Sequence, residues 1–90
     1  MIVVSILSTK DFQKEFRGLP DQIKHLAIEK EQLFRDNPLH PSLRLHPLKG
    51  KLDGLWSISI TLKYRIIFER QDNGDILLIS IGAHDVYKST

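Results

Sequence analysis

The sequence predicts a single α+β domain over residues 1–90: an N-terminal strand, a two-helix hairpin, then a three-stranded antiparallel meander with the helices packed on one face of the sheet. Three observations carry this. Apolar residues recur at helical spacing between Phe12 and Phe34, alternate with polar ones after Trp56, and are then divided by the turn signature Asp72-Asn73-Gly74-Asp75. A chain of 90 residues has room for one core of two packed layers. Its 41% hydrophobic and 27% charged residues match an ordinary globular domain.

Met1 to Leu7 is a β-branched run that reads as a strand buried on at least one face. Ser8, three residues before Asp11, predicts the cap of a short helix carrying Phe12, Phe16 and Leu19 up to the break at Gly18 and Pro20. Pro20 suits the first turn of a second helix, in which Ile23, Leu26, Ala27, Leu33 and Phe34 line one stripe until Asp36, Asn37 and Pro38 stop it. From Asn37 to Gly54 the chain holds Pro38, Pro41, Pro47, Gly50 and Gly54, which predicts a long and largely irregular connection. Connections of that length are often functional, and Arg44, His46, Lys49 and Lys51 face a single acid there, Asp53.

Trp56, Ile58, Ile60 and Leu62 then alternate with Ser57, Ser59, Thr61 and Lys63, as expected of a strand with one polar face. Tyr64, Ile66 and Phe68 continue the pattern, and Ile76 to Ala83 returns as the last strand. With Asn73 and Gly74 as the centre of a type I′ turn, Asp72 faces Asp75, Phe68 faces Ile79, Ile66 faces Ile81 and Arg65 faces Gly82. His84 then follows on the same outer face as Arg65, because side chains two apart share a face. That face also takes Ser80, Ser57 and Ser59, with Ile67 and Leu78 as apolar outliers.

The composition excludes several classes. There is no cysteine, so neither a disulfide framework nor a thiolate metal site exists. His40 and His46 are too irregularly spaced for a compact metal site, so no metal and no cofactor is expected. Met1 to Leu7 is too short for a secretory signal and lacks a basic lead-in, and no stretch reaches membrane-spanning length, so a cytoplasmic protein without membrane association is expected. A net charge of +2 favours an acidic partner.

The segments Leu45-His46-Pro47-Leu48-Lys49-Gly50, Leu55-Trp56-Ser57-Ile58, Tyr64-Arg65-Ile66-Ile67-Phe68 and Ile81-Gly82-Ala83-His84-Asp85-Val86-Tyr87 resemble the RelE/ParE toxin superfamily. The resemblance implies a ribosome-associated messenger RNA endonuclease, the toxin of a toxin-antitoxin pair, with its site on the open sheet face and adjoining loop. It implies functional histidines at His46 and His84 and a phosphate-holding arginine at Arg65. The chain departs from a histidine-rich subgroup at Ser59 and Lys63, where that subgroup places a histidine and an aspartate. The superfamily also contains gyrase poisons and inactive toxins that only bind an antitoxin, which is the alternative reading.

Metal-free RNA cleavage needs a base for the 2′-hydroxyl proton, cations at the phosphate and an acid for the leaving 5′-oxygen. Histidine suits both proton roles, with an ordinary pKa of about 6.5. The candidates are His46 and His84 for proton transfer, Arg65, Lys49, Lys51 and Arg44 for phosphate, and Tyr87 for base stacking or proton transfer. The competing structural explanations are a solvated His46, lysines that keep a turn soluble, and an Arg65 paired across strands with an acid. The expected partners are a cognate antitoxin and messenger RNA on the ribosome.

Overall fold

Apolar side chains at Phe12, Ala27 and Phe34 on one side, and at Ile58, Ile66, Phe68 and Ile81 on the other, close into one cluster. The structure, a computed structural model, describes residues 2–83. Helices α1 (Lys10–Arg17) and α2 (Asp21–Asp36) supply the first set. The second comes from strands β3 (Trp56–Ser59), β4 (Tyr64–Arg70) and β5 (Ile76–Ala83). Phe34 and Phe68 are both 0% exposed, with ring centroids 5.0 Å apart and planes tilted by 50°. That tilted contact of two aromatic quadrupoles ties the helix layer to the centre of the sheet.

Strands β1 (Ile6–Ser8) and β2 (His46–Pro47) complete a five-stranded sheet of order β1-β5-β4-β3-β2. The helix hairpin and the meander lie where the sequence places them, but the sheet is mixed. β1 pairs parallel with β5, Ile6 facing Ile76 and Ser8 facing Leu78. A parallel neighbour needs a long crossover, and the whole body of the chain provides it. The first strand is also shorter than the apolar run suggests. Ile2, Val4 and Leu7 are exposed, and Met1 lies outside the described residues.

Helix α1 is capped by Thr9, not Ser8. The Thr9 hydroxyl accepts from Phe12 N–H at 3.0 Å and donates to the Ile79 carbonyl at 3.1 Å. Its backbone N–H donates to Leu78 O at 3.0 Å. One turn further, a Glu15 oxygen accepts from Ser80 Oγ at 2.9 Å and from Ile81 N–H at 3.3 Å. The β5 edge left open where β1 ends is therefore occupied by side chains of α1, which blocks pairing with another strand there.

The β4–β5 hairpin corrects the expected register in two compensating ways. Gly74 N–H donates to Gln71 O at 3.0 Å, Gln71 N–H donates to Asp75 O at 2.8 Å, and Gly74 has φ 94°. This is a three-residue loop ending in a left-handed glycine, not a two-residue type I′ turn. Phe68 therefore faces Leu78 rather than Ile79. A bulge between Ile67 and Phe68 leaves Ile79 over and restores the expected pairs, Ile66 with Ile81 and Arg65 with Gly82. Leu78, expected on the outer face, is buried at 2% in the helix-side core.

Two further departures matter for the site. β3 ends at Ser59, and Leu62, expected inside, is 75% exposed in the following turn. The connection from Asn37 to Gly54 contains 3₁₀ turns at Pro41–Leu43 and Gly50–Leu52 around β2.

Phe34→Ala is expected to lower unfolding free energy by about 3–5 kcal/mol, read from the urea midpoint at unchanged slope. At Gly74 an added Cβ would stand 2.8 Å from Val4 Cγ2 as well as in a left-handed backbone. Gly74→Ala should therefore cost more than about 1 kcal/mol, with Val4→Ala in the same chain recovering only the part due to the clash.

Candidate functional site

The helices cover one face of the sheet, and the register decides which side chains stand on the other. His46 faces Ser57, Ser57 faces Ile67, and Ile67 faces Ser80. In the next row Ser59 faces Arg65, which faces Gly82. Partners directly opposite share a face, so these two rows form one surface. Its floor is closed: Ser57, Ser59 and Ile67 are 3%, 5% and 3% exposed. Its polar heads are His46, exposed at the β2 edge, and Arg65, half-buried on β4.

Both heads are held by backbone carbonyls. Arg65 Nη1 donates to Thr61 O at 2.8 Å and to Leu62 O at 3.2 Å, in the turn between β3 and β4. The Thr61 hydroxyl shapes that turn by accepting from Lys63 N–H and Tyr64 N–H, both at 3.1 Å. Among the described residues Arg65 has no acidic partner, so the cross-strand ion pair does not form. Its Nε and Nη2 hydrogens, the edge of the fork that binds an oxyanion, have no protein partner among the described residues. His46 Nδ1 donates to Arg44 O at 2.8 Å. Arg44 adopts a left-handed backbone, φ 49° and ψ 44°, which costs a non-glycine residue about 1–2 kcal/mol.

The remaining cations are spread along the surface. Lys49 and Lys51 are exposed on the excursion between β2 and β3, closed by Leu48 N–H to Leu55 O at 2.9 Å. That places them beyond the Trp56 end of β3, whereas Arg65 lies at the Ser59 end, about 10 Å further along the strand. His46 stands between, two strand spacings, about 10 Å, across the sheet from β4 and two residues, about 7 Å, from Arg65 along it. Ion pairs among the described residues are confined to α2, Lys24 with Asp21 and Arg35 with Glu31, so none neutralises Arg44, Lys49, Lys51 or Arg65. His84 and Tyr87, like Asp85, lie outside the described residues. Among those described, no group of three His, Cys, Asp or Glu side chains could hold a metal ion. No described helix is long and apolar enough to cross a membrane.

Sequence reasoning missed the Thr61 and Leu62 carbonyls that hold Arg65 and the backbone of Arg44 that holds His46. Thr61 ahead of an exposed Leu-Lys pair is a turn signal that could have found the first. Nothing in the residue type marks Arg44 as left-handed. The short β2 strand was hidden by Pro47, which sits at the sheet edge where its missing N–H is tolerated.

With this geometry in place, comparison with known proteins assigns the family. Curated protein sequences yield no significant match. Among solved structures, the YoeB/ParE toxin from Agrobacterium tumefaciens is 16% identical, with a TM-score of 0.73 over 90% of this chain and 99% of that one. YafQ from E. coli is 18% identical, with a TM-score of 0.76 over 90% and 93%. The toxin-antitoxin complex RelBE2 from Mycobacterium tuberculosis contains a chain 19% identical, with a TM-score of 0.68 over 92% and 100%. At these identities the likeness establishes a shared fold. The family model for the ParE toxin of the type II toxin-antitoxin system matches residues 6–85, nearly the whole chain. The chain thus belongs to the ParE toxin family of type II toxin-antitoxin systems, within the wider RelE/ParE superfamily.

Proposed function

We propose that this toxin is a metal-independent endoribonuclease that cuts messenger RNA on the ribosome and so halts translation in the cytoplasm, its chain working as a single domain. The observation that carries the reading is the placement of His46 and Arg65 on one open sheet face, each with its polar head fixed by backbone carbonyls. In the proposed reaction the 2′-hydroxyl attacks the adjacent phosphorus as it loses its proton, and the bond to the 5′-oxygen breaks as that oxygen gains one. His46 and His84 are the proton-transfer groups. Arg65 holds the phosphate whose charge rises in the transition state, and Arg44, Lys49 and Lys51 bind the RNA backbone. Tyr87 stacks on a base or assists proton transfer. No small-molecule cofactor enters.

A cognate antitoxin is the expected protein partner, as the RelBE2 structure pairs a chain of this fold with one. An acidic and apolar segment suits the cationic open face. One observation favours a second reading, a relative that poisons gyrase or only binds its antitoxin. Ser59, where the histidine-rich subgroup has a histidine, is buried, and Lys63 replaces an aspartate.

The test is brief expression in bacteria followed by primer extension to map messenger RNA 5′ ends. New in-frame cuts are expected with the native chain, reduced about 100-fold or more in a folded His46→Ala variant. Arg65→Lys keeps the charge but not the planar fork, and should lower cutting by about 10-fold. Toxicity without cuts would replace this reading with the second one.

A further inference from the structure

We propose that Arg44 is a positioning residue that acts through its backbone, its carbonyl holding neutral His46 in the Nδ1–H tautomer so that Nε2 carries the free lone pair. The functional weight of this inference rests on the nuclease reading, whereas the tautomer does not.

A neutral imidazole has one N–H, and a carbonyl oxygen can only accept. The 2.8 Å contact between His46 Nδ1 and Arg44 O therefore requires the proton on Nδ1. Free histidine in water prefers the opposite tautomer, so the protein selects the less common form. The selection depends on a backbone that an arginine does not adopt readily. Arg44 is the one non-glycine residue with positive φ among the described residues, while the loops at Gly50, Gly54 and Gly74 use glycine for that conformation.

The conformation is held from both sides. Upstream, Leu43 is 0% exposed in the core and Arg44 N–H donates to Pro41 O at 3.2 Å. Downstream, Leu45 packs against the core, and His46 and Pro47 are paired with Ser57 and Trp56. Between these anchors the Arg44 carbonyl meets the ring two residues on. Strained backbone of this sort persists where surrounding structure over-determines it, and such positions cluster at functional sites.

The consequence for the reaction is an assignment of roles. With Nδ1 occupied, the 2′-hydroxyl proton passes to His46 Nε2 as the bond from O2′ to phosphorus forms. The bond to the 5′-oxygen breaks with a proton supplied by a separate acid of the chain. Nε2 is thus the reactive nitrogen of His46, a base while the ring is neutral, and the Arg44 carbonyl becomes a stronger partner for Nδ1–H once the ring is charged. The guanidinium of Arg44 remains exposed and serves RNA binding independently.

The test is long-range ¹H–¹⁵N spectroscopy of the histidine rings at about pH 8.5, above the range in which imidazoles ordinarily titrate. The native chain and Arg44→Gly, which adopts the left-handed backbone freely, should both show His46 protonated on Nδ1. Arg44→Val, whose branched side chain opposes that backbone, should shift His46 toward the Nε2–H form. Both variants lose the guanidinium, so their comparison isolates the backbone: kcat for ribosome-bound RNA should fall at least about tenfold further in Arg44→Val. A native His46 protonated on Nε2 overturns the proposal, and that spectrum suffices even if the valine variant does not fold. An unchanged tautomer in a folded Arg44→Val overturns the positioning role, and equal kcat in the two variants overturns its functional weight. Absence of cleavage by the native chain would refute the nuclease reading and leave the tautomer result standing.

Discussion

The architecture depends on one mismatch in the last strand. Ile76, Leu78 and Ile81 must all reach the helix-side core, where they are 1%, 2% and 2% exposed, yet a regular strand starting from Ile76 would send Ser80 inward in place of Ile81. The bulge at Ile79 resolves this by adding one residue between the two phases. It also creates the landing point for α1: Thr9 binds Leu78 and Ile79, and Glu15 binds Ser80 and Ile81. Packing of the first helix and register of the last hairpin are thereby one event.

That event divides the sheet into a covered face and a working face. On the covered side Phe34 meets Phe68, and Leu43 is buried in the same core from a 3₁₀ turn packed against β3, just before the chain re-emerges toward β2. On the open side small serines make a closed floor under His46 and Arg65. Among the described residues, carbonyls rather than carboxylates hold the cationic and titratable heads in place. This leaves their charge available to an anionic ligand, since a carbonyl orients a donor without neutralising it. A surface built that way suits an anionic ligand, as the proposed RNA substrate would be.

Much of this was legible in the residues. Alternation after Trp56 and the helical stripe from Ile23 to Phe34 revealed the α+β architecture, because each pattern reports one buried face. The pairs Arg65 with Gly82 and Ile66 with Ile81 were also readable, although the route to them was not. A three-residue loop and a bulge each shift the count by one, in opposite directions, so the site end of the hairpin came out right and Phe68 did not. The parallel edge strand was hidden because three residues of strand carry no direction of their own. The left-handed backbone of Arg44 was hidden because it is imposed by Leu43 and Pro47 on either side, which no local propensity expresses. His84 stands on the resemblance and the register together, Tyr87 on the resemblance alone, and both lie outside the described residues.

The central claim is that alternation along β4 places Arg65 in the same surface as His46, and that the Ile79 bulge sets Gly82, with Ser80, beside it while Ile81 stays in the core. The most direct measurement is a map of cross-strand proton NOEs between β4 and β5 in the isotopically labelled protein. The account predicts Arg65 opposite Gly82 together with Phe68 opposite Leu78, the combination that only a bulge permits. A regular ladder continued from the Phe68–Leu78 pair would instead place Arg65 opposite Ile81, turn Ile81 out of the helix-side core onto the working face, and contradict the site as described.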